Sequence, residues 1–259
     1  MKTIILCGGL GYRLKEETEF KPKPMVYVGD KPILWHIMKI YAYYGYNDFI
    51  LALGYKADYI KDYFLNQKAF ASDFSLDTRM HKVKYYLRNR DEVDNFTITF
   101  VDTGLETQIG ERILRCKKYI PKNDRYFMVT YGDGVSDVDI NKLIVFHKRQ
   151  NTIGTITGVH PRSKYGMVIV DKSNMVRKFS EKPVINDWVN GGFMIFDKRF
   201  FDYLRPEETE HPGLIRLVEE RRLSLYKHNG FWKSVDTYME LGQLNDIWNS
   251  GNPPWKIWE

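Results

Sequence analysis

An α/β fold, with a doubly wound, mixed but mainly parallel sheet and an added β-hairpin, is what this 259-residue chain predicts. Three observations carry that expectation. A short apolar run at residues 3–7 breaks straight into Gly8, Gly9 and Gly11, the way a buried parallel strand hands over to a tight turn. Residues 32–45 and 57–65 read as helices around a second apolar run at 49–53, which is the strand–crossover–strand–helix order of a Rossmann-like sheet. After residue 160 the character changes. GMVIVDKSNMVRKFSE places two apolar runs around a Lys-Ser-Asn turn and predicts a hairpin over 166–181.

The elements follow in order. Pro32 suits a helix start because its φ is preset, and Ile33, Leu34, Ile37, Ile40, Tyr41 and Tyr44 then share one helical face. Strands are expected at 98–101 and 126–130, a helix at 140–148 and a strand at 152–159. Cys116 falls in a further helical stretch. NGGFMIFD predicts a strand at 190–197, LIRLVEERR a helix at 214–222, and TYMELGQLNDIWNSG a closing helix at 237–251. No repeat or low-complexity linker interrupts the chain. A single domain over 1–259 is expected, in two halves at about 1–150 and 151–259, the second ending in the closing helix.

Composition narrows the function classes. Hydrophobic content of 43% and aromatic content of 15% fit a folded globular chain. The net charge of +6 arises from 39 Lys and Arg interleaved with 33 Asp and Glu. With no long basic block, the excess points to an anionic small molecule and away from nucleic acid. Cys7 and Cys116 have no metal or redox spacing and read as packing residues. The first apolar run is too short for a signal peptide and no stretch reaches membrane-spanning length, so a cytoplasmic protein with no membrane partner is expected. His36, His81, His147, His160, His211 and His228 form no close pair and read as core or surface residues.

Chemistry concentrates in two places. Bare backbone at Gly8, Gly9 and Gly11 can approach a ligand and aim amides at phosphate oxygens. Arg13 can clamp a phosphate, and Lys23, stiffened between Pro22 and Pro24, can reach the same charge. The dinucleotide fingerprint would need a glycine where Leu14 stands and an acid where Leu53-Gly54 ends the next strand. A Walker string is absent altogether. The second place is TYGDG, which sets Asp133 at the carboxyl end of an expected central strand, where open α/β sheets bind ligands. Asp236 in SVDT has two readings: an N-cap for the helix that follows, or a partner of Asp133 in holding a cation.

GGLGYRL, EET, KPKPM, KPILWHIMK, VDTG, TYGDG, YG, EKP, NGGF, GFW, VDT and PWKIWE occur in this order from one end of the chain to the other. Together they resemble the sugar-1-phosphate nucleotidyltransferases, and KPILWHIMK and PWKIWE resemble the cytidylyl branch that acts on glucose 1-phosphate. The resemblance implies the nucleotide-diphospho-sugar transferase type of fold. It implies a reaction in which the phosphate of a sugar 1-phosphate attacks the α-phosphorus of CTP and expels pyrophosphate. It assigns Leu6, Cys7, Gly8, Gly9, Leu10, Gly11, Tyr12, Arg13, Lys23, Thr107 and Arg112 to the nucleotide, with Arg13, Lys23 and Asp133 as the catalytic set. Asp133 and Asp236 become ligands of Mg²⁺, and Gly166, Glu181, Lys182 and Asn190 match the acceptor positions. Homo-oligomers, hexamers in particular, are implied as well, and the apolar GNPPWKIWE tail has two readings: packing on its own domain, the commoner outcome for such an end, or a subunit contact.

Several positions depart from the family pattern. Tyr12 stands where threonine is usual, Ile109 and Glu111 interrupt TGGR, and His211-Pro212-Gly213 replaces Glu-Pro-Leu. The loop between Lys182 and Asn190 is short and carries Trp188. These leave two alternatives to glucose 1-phosphate transfer: a different sugar or polyol phosphate as acceptor, or an inactive nucleotide-binding regulatory module.

Overall fold

Alternation along the strands separates two apolar cores. In β1 (Thr3–Cys7), Ile5 and Cys7 join one cluster while Ile4 joins the other, and all three are fully buried. In β2 (Asp48–Leu53) the split repeats, with Phe49, Leu51 and Leu53 on one face and Ile50 and Ala52 on the other. A strand buried on both faces belongs inside a sheet covered by two helical layers. The computed structural model, which describes residues 1–9, 11, 14–86 and 94–258, has that arrangement.

Completing the sheet are β3 (Thr97–Asp102), β4 (Tyr126–Tyr131), β5 (Gly154–Val159), β6 (Val189–Asn190), β7 (Met194–Asp197) and β8 (Leu223–Lys227). The order is β8, β5, then β6 and β7 along one edge of β5, then β4, β1, β2 and β3. The β1–β2, β2–β3, β1–β4 and β5–β8 pairs are parallel, whereas β7 runs antiparallel to β4 and β5. The sheet is therefore mixed and mainly parallel, and strands from both ends of the chain share it. The main helices are α1 (Ile33–Tyr43), α2 (Ala57–Leu65), α3 (Ile109–Cys116), α4 (Ile140–Gln150), α5 (Glu210–Glu219) and α6 (Tyr238–Asn249). The chain leaves β1 toward β2 on one side and returns to β4 on the other. That reversal creates a crevice at the strand ends, where register aligns Cys7 with Leu53, Leu53 with Asp102, and Leu6 with Tyr131.

Most expected elements stand within two residues of their sequence positions, and the hairpin is present as Met167–Val170 paired with Val176–Ser180. Four differences have physical causes. The expected strand over 190–197 is two strands, because Gly192 and Phe193 take φ of +80° and +46° and break the ladder. Helix α5 begins four residues ahead of the expected 214, with Pro212 in its first turn, where a missing N–H costs nothing. The residues beyond it turn into β8, which the helical pattern concealed. A second hairpin, Asp73–Asp77 with Lys82–Tyr86, is exposed along its whole length, so its short alternating runs, DFSLD and KVKYY, pack on no core and stand as a separate ribbon.

The tail closes on its own chain. Trp255 is fully buried, stacks on Phe231 and donates its indole N–H to His36 Nδ1 at 3.4 Å. Of the two readings of the tail, Trp255 follows packing on its own chain: the apolar space it fills lies against His36 of α1 and Trp248 of α6. Trp255→Ala is expected to lower unfolding free energy by about 3–5 kcal/mol, the usual loss for an emptied large aromatic site. Urea denaturation checks this, and a change below about 1 kcal/mol would contradict the packing role.

The same contact makes the fold sensitive to acid. His36 Nε2 donates to Val28 O at 2.9 Å while Nδ1 accepts from Trp255, so the fold holds the ring neutral. Burial pulls its pKa from 6.5 down to about 4. His147, packed under β5 with Nε2 buried and unpaired, is likewise lowered to about 4 by burial. Between those values the unfolded chain takes up protons that the fold excludes. The stability held by neutral His36, about 3 kcal/mol, is thus complete above about pH 6.5 and lost progressively toward pH 4. Denaturation midpoints should fall over that window, and a flat profile would contradict it.

Candidate active site

The turn after β1 is shaped by packing before any ligand is considered. A Cβ on Gly8 would lie 2.1 Å from Arg112 Nη1, so only glycine lets the guanidinium sit against the strand end. Gly11 alone of the three glycines takes positive φ, at +65°, and Thr18 Oγ1 pins the turn by donating to Gly11 O at 3.1 Å and Leu14 O at 2.9 Å. A Cβ on Gly9 would meet nothing within 4 Å, which leaves that backbone open toward the crevice.

Arg112 is 4% exposed and ties the wall together. Its Nη1 donates to Leu53 O at 3.1 Å, Thr103 Oγ1 at 2.7 Å and Gly104 O at 2.7 Å. Its Nη2 donates to Gly8 O at 3.2 Å and Leu105 O at 2.9 Å. One side chain thus joins the ends of β1, β2 and β3 to the segment that carries Thr107. These guanidinium bonds go to the protein itself, so the side chain braces the pocket wall.

Between these walls lies a cavity of about 490 Å³, a size suited to a nucleotide. Leu6, Cys7, Gly8, Gly9, Gly11, Lys23, Thr107, Arg112 and Asp133 all line it, together with Tyr131. Leu10, Tyr12 and Arg13, expected beside them, lie outside the described residues. Burial pushes the Cys7 thiol well above its ordinary pKa and that of Cys116 up to about 12, so neither is a thiolate at neutral pH.

At the mouth, three charges converge from distant parts of the chain. Lys23 enters on a short turn whose approach is fixed by Pro22, and its Nζ donates to Asp133 Oδ2 at 2.6 Å and Asp236 Oδ1 at 2.8 Å. Burial alone would lower the Lys23 pKa, but the two carboxylates outweigh it and raise the value above the usual lysine range. Asp236 is not the cap of α6. Thr237 is, in a reciprocal capping box with Glu240. The capping reading of Asp236 therefore falls away. Two carboxylates that meet at one ammonium also supply the hard oxygen donors that Mg²⁺ prefers, with room left for water and phosphate oxygens. Among the described residues no group of three or more His, Cys, Asp or Glu could hold a metal ion, so a cation here would rest on these two carboxylates and on its other ligands.

The acceptor residues are placed less compactly. None of Gly166, Glu181, Lys182 and Asn190 lines the cavity. Gly166 packs beside Glu181, whose Oε2 a Cβ there would approach to 3.0 Å. The Glu181 and Lys182 side chains are 63% and 51% exposed. Asn190 instead bonds to Tyr131 at 3.1 Å, at the cavity edge. Sequence reading missed Lys164, which reaches Glu240 at 3.3 Å and Asp236 at 3.9 Å. It immediately precedes the Tyr165-Gly166 pair, and that position was its one signal.

A Ser-His-Asp cluster also forms, at Ser136, His228 and Asp137, but a single ring nitrogen, Nε2, meets Ser136 at 3.2 Å and Asp137 at 2.9 Å. Ser136 gives its hydrogen to Phe231 O at 2.7 Å. A relay needs both ring nitrogens, so this cluster pins a turn and activates no nucleophile.

Comparison with known proteins agrees with this geometry. The nucleotidyl transferase family profile matches residues 2–252. The chain is 41% identical to the "Probable glucose-1-phosphate cytidylyltransferase" of Bacillus subtilis (strain 168) and 40% identical to the glucose-1-phosphate cytidylyltransferase of Salmonella typhimurium, in each case over the full length of both chains. Among solved structures, UDP-glucose pyrophosphorylase complexed with UDP-glucose superposes with a TM-score of 0.68 at 16% identity, covering 96% of this chain and 98% of that one. HddC from Yersinia pseudotuberculosis gives 0.67 at 24%, covering 95% and 99%. These two share the fold.

Proposed function

The chain belongs to the nucleotidyl transferase family, and from that membership we propose that it transfers the cytidylyl group of CTP to glucose 1-phosphate, releasing CDP-glucose and pyrophosphate. The observation that carries this reading is the meeting of Lys23, Asp133 and Asp236 at the mouth of a glycine-walled cavity. Phosphoryl transfer of this kind is mostly alignment and charge neutralisation. The attacking phosphate is already ionised at neutral pH, so the site needs no protein nucleophile.

Each group then has a role. The open backbone at Gly8, Gly9 and Gly11, with Leu6 and Cys7 behind it, receives the nucleotide, and Thr107 faces it from the other wall. Lys23 places its ammonium where the phosphates arrive, and Arg13, outside the described residues, is assigned to the same phosphates from its sequence motif. The family generally uses a divalent metal. We assign Mg²⁺ to Asp133 and Asp236, where it would neutralise phosphate charge as the α-phosphorus is attacked. Gly166, Glu181, Lys182 and Asn190 are assigned to the sugar phosphate. Residues 1–150 thus form the nucleotide half and 151–259 the acceptor half.

A panel of acceptors with CTP tests the substrate. Pyrophosphate release should be fastest with glucose 1-phosphate. Faster release with another sugar or a polyol phosphate would replace the acceptor and keep the chemistry.

Self-association belongs to the same proposal. Val168, Ile169 and Phe179 on the hairpin are 51%, 57% and 64% exposed, an apolar surface that a subunit contact would cover. A second copy of the chain is the assigned occupant, and a hexamer the assigned state. Light scattering should report a mass above the 30.7 kDa monomer, and a monodisperse monomer would contradict it. Nothing in the charge pattern suits nucleic acid. No helix among the described residues is long and apolar enough to cross a membrane, and a cytoplasmic location is assigned on the substrates.

A further inference from the structure

Two side chains with no role so far are joined at the edge between nucleotide and acceptor. Tyr131 ends β4 and lines the cavity. Its phenol has one hydrogen, which it donates to Glu210 Oε1 at 2.9 Å. Glu210 is 3% exposed, and its Oε2 is buried with no hydrogen-bond partner among the described residues. A phenol has no second hydrogen, so with this one committed to Glu210 the phenol oxygen must act as an acceptor elsewhere. Burial, and then the Glu210 charge, push the Tyr131 pKa far above its ordinary value, so that hydrogen stays in place.

The remaining partner is Asn190, whose Nδ2 donates to the Tyr131 hydroxyl at 3.1 Å. At the other end of the amide, Gly192 N–H donates to Asn190 Oδ1 at 3.1 Å. Both ends are thereby fixed, and the amide cannot exchange its oxygen and nitrogen without breaking two bonds. What is left over is one lone pair on Oδ1 and one N–H whose other neighbour is Met194 Sδ at 3.8 Å, a weak acceptor. A fixed donor beside a fixed acceptor is complementary to a hydroxyl group, which both donates and accepts.

We propose that Tyr131 and Glu210 are positioning residues that set the Asn190 amide so that it reads a hydroxyl of the acceptor sugar. Glu210 acts at one remove, by committing the phenol hydrogen. Tyr131 lies on the same strand end as the cavity floor, so the nucleotide and acceptor sites share one rigid element. The inference rests on the reading of the chain as a sugar-phosphate cytidylyltransferase.

Calorimetric titration with CDP and with CDP-glucose, alongside steady-state kinetics, separates the two. The wild type should bind CDP-glucose more tightly than CDP. In Tyr131→Phe, that ratio should fall about tenfold, the scale of one net hydrogen bond. The KM for glucose 1-phosphate should rise by a similar factor while the KM for CTP stays within about twofold. Glu210→Gln keeps a carbonyl oxygen for the phenol and should retain most of the wild-type ratio. An unchanged ratio in Tyr131→Phe, or a parallel rise in both KM values, would overturn the proposal, as would a Glu210→Gln loss as large as that of Tyr131→Phe. A wild type that binds CDP-glucose no more tightly than CDP would remove the acceptor assignment and this proposal with it.

Discussion

Asp133→Asn is expected to fold normally and to lose at least about a hundredfold in turnover, the scale of removing one electrostatic stabiliser from a phosphoryl-transfer site. The carboxylate sits just past β4, 27% exposed, and its bond to Lys23 joins it to the site and not to a core. Asparagine keeps the shape and an acceptor but removes the charge, so the loss should fall on kcat with little change in KM for CTP. Asp236→Asn should behave the same way. Because Thr237 and Glu240 hold the start of α6, no helix cap is lost, and any change in stability reflects the bond to Lys23. Near-wild-type turnover of either variant at saturating Mg²⁺ would contradict the assignment of the carboxylate pair.

CTP is expected to exceed UTP and dTTP by about 10²–10⁴ in kcat/KM. A pocket built to pair the amino group and ring carbonyl of cytosine leaves buried polar groups unpaired when uracil or thymine enters. Such discrimination needs walls that do not adjust. In this chain Arg112 supplies the rigidity, bonding at once to Gly8 O, Leu53 O, Gly104 O and Leu105 O. Arg112→Ala should therefore lower overall activity and narrow the preference for CTP together, as the turn after β1 and the segment carrying Thr107 come apart. Initial rates with the three nucleotides measure both effects. Equal use of UTP by the wild type would place the protein among enzymes of broader base specificity.

What the sequence revealed of the site, and what it hid, follows from chain distance. The turn after β1 was legible because strand, glycines and cations are contiguous, and Asp133 because a strand end and flanking glycines mark it locally. Asp236 was ambiguous only while the helix start was unresolved, although Thr237 followed three residues later by Glu240 already carried the capping signal. The bridge from Lys23 to Asp133 and Asp236 spans 110 and 213 residues, and no local pattern announces a contact of that range. Tyr131 and Glu210, 79 residues apart, were hidden for the same reason. The bracing bonds of Arg112 were hidden too, because its carbonyl partners are set by backbone geometry that side-chain chemistry does not encode. Strand β8 was missed because its pairing is made available only by the rest of the sheet, and the hairpin from Asp73 because its short alternating runs form a separate exposed ribbon with no core face to mark it.

Phosphorus NMR of the purified protein with CTP, glucose 1-phosphate and Mg²⁺ tests the central claim most directly. CDP-glucose and pyrophosphate should appear in equal amounts as both substrates decline, and both signals should vanish when glucose 1-phosphate is omitted. CTP left intact in the complete mixture, or consumed without a CDP-linked sugar, would contradict the account.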